Sequence, residues 1–225
     1  MRLTRISLAM VYIFVVHSCA HYAFAFSPIS LRSDNVRVRT LLRQLKPTVD
    51  GGVYRLPNLE ERQRVFKRIV SIAQVSRRMR RLVIGLLIDD LRDQQQSAEM
   101  RIDAAYLLSR LRAQESLNDL VVNLDLQGSY AAVSLLTKTP MVWIVVRMGQ
   151  ASVPHLARAL NDDRVSIRQH AATALGFISG PKARKILEEA MTKERDPSVT
   201  AYIQGGLAEI EAHSRRTERR SPKHR

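Results

Sequence analysis

Apolar residues recur every three or four positions along most of the chain beyond residue 58, which is the spacing of one face of an α-helix. The pattern predicts a helix over residues 59–74, and Asn58 with Glu61 three positions later resembles a capping box at its start. A second helix is expected over residues 76–92. Pro140 interrupts a later apolar run, so we expect a helix break there. The chain is therefore predicted to be all-α.

An internal repeat sets the architecture. Residues 101–111 and 168–178 share an arginine, an Ala-Ala pair, a leucine and a final aliphatic residue, at a constant offset of 67 positions. Half of this offset, about 33 to 34 residues, is the length of a two-helix solenoid repeat. The alanines are expected to let the two helices of one repeat approach closely.

Residues 150–180 carry the pattern best: a short first helix, a turn at Asn161-Asp162-Asp163 and a second helix over residues 165–178. This segment resembles the short HEAT-like repeats, of the type also found in phycobilin lyases. The resemblance implies a right-handed α-solenoid of about three to four HEAT-like helical hairpins over residues 58–213. It also implies one alternative function, a lyase-like or chaperone-like role with a tetrapyrrole in a plastid or photosynthetic antenna.

The N-terminus is typical of a signal peptide. Arg2 and Arg5 precede an uncharged apolar stretch over residues 6–16, and Ala23 and Ala25 supply the small residues that a signal peptidase requires. We expect cleavage after Ala25, with residues 1–25 removed and the protein exported, either periplasmic or secreted.

Three other interpretations of this segment stay open. Val16-His17-Ser18-Cys19 resembles a lipoprotein processing box, although His17 departs from its pattern. Residues 6–26 contain no formal charge and could anchor the chain in a membrane. The junction at Phe26 also resembles the two-part presequence of proteins imported into complex plastids. Beyond the presequence, residues 26–57 are expected to be a weakly ordered linker, in which apolar residues at positions 36, 38, 41, 42 and 45 could form a short helix that Pro47 stops. Residues 214–225 are expected to be a disordered basic tail.

Little in the sequence points to chemistry. Cys19 is the only cysteine and lies in the segment to be removed, so no catalytic thiol or cysteine-based metal site is expected. The remaining histidines lack metal-ligand spacing, and no catalytic or phosphate-binding motif is present. We therefore expect no cofactor and no metal site, and the protein is predicted not to be an enzyme. Trp143, the sole tryptophan, lies in an apolar run and is expected to pack in the core.

Four polar residues near repeat turns are candidate site residues. Arg101 and Arg168 begin second helices of the repeats, and Arg168 is within reach of Asp162 or Asp163 across the turn. We expect an ion pair that ties repeats together. The alternative is that these arginines line a ligand groove.

The charge of the chain points to a partner. Its formal net charge is +15, and one basic patch is expected on two neighbouring helices, at Arg62, Arg64, Lys67, Arg68, Arg77, Arg78, Arg80 and Arg81. Such a patch attracts acidic proteins, anionic membranes or nucleic acids. We expect a non-catalytic scaffold that binds a protein partner of unknown identity, with an anionic membrane surface as a second possible ligand. Nucleic-acid binding is a further alternative that export would disfavour.

Overall fold

The computed structural model describes residues 28–46, 48–50, 53–55, 57–128 and 139–220. Ala23 and Ala25, with the rest of the predicted signal peptide, lie outside these residues. The helices of the described residues are α1 (Pro28–Arg43), α2 (Leu59–Val75), α3 (Arg77–Arg92), α4 (Ala98–Arg110), α5 (Leu117–Val122), α6 (Pro140–Met148), α7 (Val153–Ala159), α8 (Val165–Ile178), α9 (Pro181–Met191) and α10 (Pro197–Arg220). Short 3₁₀ turns, Gln114–Ser116 and Gly149–Ser152, precede α5 and α7.

The helices form two layers. The odd-numbered helices, α1 to α9, pack side by side as the first-helix layer, and the even-numbered helices, α2 to α10, pack side by side as the second-helix layer. Each consecutive pair is one hairpin of a repeat. This confirms the predicted all-α solenoid. Four hairpins run from α3 to α10, and the pair α1 and α2 precedes them.

Local signals in the sequence explain where the helices begin. The capping box before α2 is formed: the Asn58 side chain accepts a hydrogen bond from the Glu61 N–H at 2.9 Å, and Glu61 accepts one from the Asn58 N–H at 3.1 Å. Ser76 ends α2 and caps α3. Proline occupies the first turn of α6, α7 and α9, where no backbone N–H is required.

The buried core is aliphatic. Leucine, isoleucine, valine, alanine and methionine fill the space between the two layers. Ala104, Ala105, Ala171 and Ala172 are buried as expected. Helices α8 and α10 pack closely through two glycines, so that a Cβ atom added to Gly176 would lie only 2.6 Å from the Cα atom of Gly206.

The segment before α2 is more ordered than the predicted linker over residues 26–57. Helix α1 buries Val38, Leu41 and Leu42 against the following helices. Strands β1 (Thr48–Asp50) and β2 (Val53–Arg55) then form an antiparallel hairpin. Arginines alternate with these apolar residues in the sequence and lower the mean hydropathy of α1. The face that α1 buries is therefore difficult to recognise from the sequence.

The predicted disordered tail also differs from the structure. Helix α10 continues to Arg220, so the tail over residues 214–225 is helical as far as it is described. Arg215 pairs with Glu211 at 2.5 Å, one helical turn earlier, which supports the extension. Among the described helices, none has an apolar stretch long enough to cross a membrane.

Candidate interaction surface

Every aromatic side chain that the structure describes lies on the second-helix layer. Phe66, Tyr106, Trp143, Phe177 and Tyr202 come from α2, α4, α6, α8 and α10, one from each helix, and none belongs to the buried core. We call these five side chains the aromatic row. Phe66 and Tyr106 are half-buried and pack against the core, whereas Trp143, Phe177 and Tyr202 are exposed. Exposed apolar side chains that adjoin one another make this face a candidate binding surface.

The first half of the aromatic row consists of Phe66 and Tyr106, and a cationic side chain from α6 contacts the second of these rings. The rings of Phe66 and Tyr106 are 5.3 Å apart between centroids. The Arg147 guanidinium lies over the Tyr106 ring, 6.0 Å from its centroid, at the outer limit of a cation–π contact. Phe66 and Tyr106 also line a groove of about 350 Å³ together with Lys67 and Arg110.

The second half of the row is a direct aromatic contact followed by an open groove. The rings of Trp143 and Phe177 lie 4.6 Å apart at a tilt of 39°. Phe177 and Tyr202 line a groove of about 330 Å³, whose floor includes Gly205 and Gly206. Trp143 remains 38% exposed and Tyr202 45% exposed, so a partner has access to both rings.

The prediction that Trp143 packs in the core is wrong. Its neighbours Met141, Val142 and Ile144 are buried, while Trp143 and Arg147, one turn apart, point outward. This places an aromatic and a cationic side chain on the same exposed face of α6. Lys67, Arg110 and Arg147, which lie beside the first rings, are cationic and exposed. Glu209 lines the groove beside Tyr202 and forms an ion pair with Arg216 at 3.7 Å.

Arg168 ties two repeats together, as expected, but through a different carboxylate. Its guanidinium donates to the backbone carbonyls of Asp162 at 2.8 Å and Asp163 at 3.2 Å, and it pairs with Glu194 of the next hairpin at 2.9 Å. Burial disfavours ionisation of Glu194. The hydrogen bonds from the backbone N–H groups and from Arg168 outweigh that effect and hold the pKa of Glu194 below its usual value.

Arg101 occupies the equivalent place two repeats earlier without an ion pair among its described contacts. It donates to the Leu91 carbonyl at 3.0 Å and to the Asn123 side chain at 2.5 Å. Each of the two arginines therefore joins the segment before its own helix, the end of α3 for Arg101 and the turn after α7 for Arg168, to the following hairpin. The contacts of both arginines agree with the structural interpretation. Arg168, Asp162 and Asp163 also line a groove of about 420 Å³, so the alternative of a ligand groove stays open for Arg168.

The two turn aspartates have separate roles. The Asp162 side chain accepts hydrogen bonds from both the Nε and the backbone N–H of Arg164 at 3.0 Å, and the hydrogen bond from the Arg164 side chain is the main reason that the pKa of Asp162 is lowered. Asp163 contributes only its backbone carbonyl to Arg168. Arg164 also contacts Asp125 at 3.4 Å, which links this turn to the preceding repeat.

The predicted basic patch is not one surface. Arg64 and Arg68 line a cleft between the end of α1, strand β1 and α2. Lys67 lines the groove beside Phe66 instead. Arg77 and Arg81 are exposed on α3. Arg78 is half-buried and has a partner of its own. Arg80 donates to the backbone carbonyl of Leu111 at 2.5 Å, which fastens α3 to the end of α4.

Arg62 is not part of any exposed patch, which corrects its prediction. It is 1% exposed and forms an ion pair with Asp103, also 1% exposed, so that the pair joins α2 to α4 inside the core. Burial raises the pKa of Asp103 to about 6, although Arg62 acts in the opposite direction. The burial of Arg62 could have been inferred from the sequence, because Arg62 lies three and seven positions before the buried Val65 and Ile69 and so shares their face of the helix.

Several functional and linking residues were not predicted from the sequence. Glu194 and Asp125 lie 26 and 39 positions from their arginine partners, and only the stacking of the repeats brings them together. The spacing of Trp143 and Arg147 was a usable signal for the exposed face of α6, because positions four apart share a helix face.

Comparisons with known proteins support the repeat architecture. Residues 130–208 match the family model for HEAT repeats, which supports a HEAT-like repeat protein. No curated protein matches the chain. A solved structure, human deoxyhypusine hydroxylase in complex with glycerol, is 16% identical with a TM-score of 0.30, over 83% of this chain and 100% of that one. A likeness at this level carries no argument about function.

Proposed function

We propose that this protein is an exported, non-catalytic scaffold that binds a protein partner along the aromatic row. The observation that carries the proposal is the placement of five aromatic side chains on one face, one from each second helix. Tryptophan, tyrosine and arginine dominate the binding energy of protein interfaces. Stacked repeats present such residues as one extended surface.

The charge of the row favours a partner that carries acidic side chains. Lys67, Arg110 and Arg147 flank the rings and speed up association with a negatively charged surface. The proposal of export rests on the signal-like residues 1–25.

Single-stranded nucleic acid is a second candidate ligand. Rings that alternate with arginines, as at Tyr106 and Arg147, are the arrangement on which bases stack in sequence-tolerant binding sites. A protein that is exported would meet little nucleic acid. The location of the chain therefore separates the two candidates.

Site-specific photo-cross-linking in the source cells tests the proposal. A benzophenone side chain replaces Phe177 or Tyr202 in the row, and in matched controls it replaces Val36 or Val122, which are at least as exposed but lie on the first-helix layer. We expect one protein to be captured from both row positions and from neither control position. Mass spectrometry of the recovered chain also gives the mature N-terminus.

Three results would contradict the proposal. Equal capture from row and control positions would show that the row is not a specific surface. Capture of RNA or DNA from the row would favour the second candidate. An intact N-terminus on cytosolic protein would refute export and leave the scaffold function to be judged by the cross-links alone.

A further inference from the structure

A basic cleft lies at the N-terminal end of the solenoid, away from the aromatic row. It has a volume of about 700 Å³ and lies between the end of α1, strand β1 and the first half of α2. Its cationic lining side chains are Arg43, Lys46, Arg64 and Arg68. All four are exposed, and none forms an ion pair within the part of the chain that the structure describes.

The carboxylate that lines this cleft is already engaged. Glu61 accepts the backbone N–H of Asn58 in the capping box at 3.1 Å and offsets one of the four positive charges, so the lining keeps an excess of positive charge. Four like charges at one cleft repel one another, and this repulsion is relieved when an anion binds among them. The cleft is thus electrostatically poised for a compact ligand that carries several negative charges.

The cleft and the aromatic row lie on opposite sides of α2. Arg64 and Arg68 each lie two positions from Phe66, a rotation of about 200° around the helix axis. Gln63, Lys67 and Val70 share the side of Phe66. A ligand in the cleft and a partner on the row can therefore be bound and tested independently.

We propose that this cleft is a binding site for a phosphate-bearing anion, with at least two of its arginines contacting the phosphate oxygens. Guanidinium groups match the geometry of phosphate and donate two parallel hydrogen bonds to it. The volume of the cleft accommodates more than a single phosphate group. A soluble polyphosphorylated compound and a phosphomonoester lipid headgroup offer the same chemistry.

Calorimetric titration of the full chain with inorganic pyrophosphate tests the site. We expect saturable binding that weakens about tenfold or more in Arg64→Gln/Arg68→Gln, since each lost charge-assisted hydrogen bond costs roughly a factor of ten. The matched control, Arg77→Gln/Arg81→Gln, removes the same charge from exposed positions outside the cleft. It should change the affinity less than twofold.

A second arm identifies the source of the phosphate. The same proteins are sedimented with phosphatidylcholine vesicles that either contain or lack phosphatidic acid. Sedimentation that requires phosphatidic acid and Arg64 with Arg68 supports a lipid headgroup, whereas pyrophosphate binding without sedimentation supports a soluble ligand. Arg43→Gln replaces the double variant if circular dichroism shows that the latter is unfolded.

Three results would overturn the proposal: no saturable binding of pyrophosphate or vesicles, an equal loss of affinity in the cleft and control variants, or binding of a poly-glutamate peptide without binding of pyrophosphate. The last result would assign the cleft to an acidic protein segment. None of these results depends on the aromatic row, so a failure here is distinct from a failure of the proposed scaffold function.

Discussion

The contact between α8 and α10 gives a sharp test of the packing, through Gly176→Ala. The new Cβ atom would lie 2.6 Å from the Gly206 Cα and 3.0 Å from the Gly206 carbonyl oxygen, whereas ordinary contacts begin near 3.4 Å. Backbone atoms cannot rotate away as a side chain does. The two helices must therefore move apart by about 0.8 Å, and every contact along their interface loosens.

The magnitude follows from two opposing effects. Overpacking a tight interface costs about 1 to 3 kcal/mol, while replacing a helical glycine by alanine returns up to about 1 kcal/mol. We expect Gly176→Ala to lower the free energy of unfolding by about 1 to 2 kcal/mol. For a chain of this size, each kcal/mol corresponds to a shift in Tm of about 2 to 4 °C.

Gly205→Ala is the matched control. Gly205 lies in α10, next to Gly206, but an added Cβ would meet no atom within 4 Å. This variant should gain helix propensity without a clash and raise the free energy of unfolding by about 0.5 to 1 kcal/mol. The assay is urea unfolding of both variants followed by circular dichroism. A Gly176→Ala protein as stable as the wild type, or a Gly205→Ala protein that loses as much stability, would refute the packing argument.

Three further predictions concern single side chains. Acrylamide should quench the fluorescence of Trp143 efficiently in the free protein, because its ring is partly exposed; weak quenching would place it in the core. The raised pKa of Asp103, about 6 when folded against about 3.9 when unfolded, means that the folded state binds the proton more tightly. Its contribution to stability therefore falls as pH rises from about 4 to about 6, and Asp103→Asn should remove this slope from urea midpoints measured across that range; parallel profiles would contradict it. Arg168→Gln should cost about 2 kcal/mol in urea unfolding, since its bonds join two repeats. Arg184→Gln, which removes an exposed pair at 3.9 Å, should cost less than about 0.5 kcal/mol; equal losses would count against the linking role of Arg168.

Repeat periodicity made most of the fold predictable. The shared spacing of residues 101–111 and 168–178 identified two second helices, and the capping box at Asn58 placed the start of α2. These signals are local, so they need no knowledge of what packs against each helix. Helix α1 was underestimated because its arginines dilute the apolar face that Leu41 and Leu42 bury.

The candidate site was less predictable because exposure depends on neighbouring helices. The apolar run around Trp143 suggested that this residue is buried, and the charge of Arg62 suggested that it is exposed. In the structure Trp143 is exposed and Arg62 is buried. In each case the phase of the helix was more informative than the identity of the residue: Arg62 shares a face with Val65, and Trp143 shares one with Arg147. The alignment of five rings across five helices follows from repeat stacking and is not encoded in any single segment.

The affinity of the partner captured by cross-linking, measured for row variants of the full chain, tests the central claim most directly. Tyr106→Ala and Phe177→Ala remove one ring from each half of the aromatic row, while Val36→Ala and Val122→Ala truncate more exposed side chains on the first-helix layer. We predict that each row variant weakens binding about tenfold or more and that neither control changes it more than twofold. Unchanged affinity in both row variants, or equal losses in the controls, would contradict the assignment of the aromatic row as the binding surface.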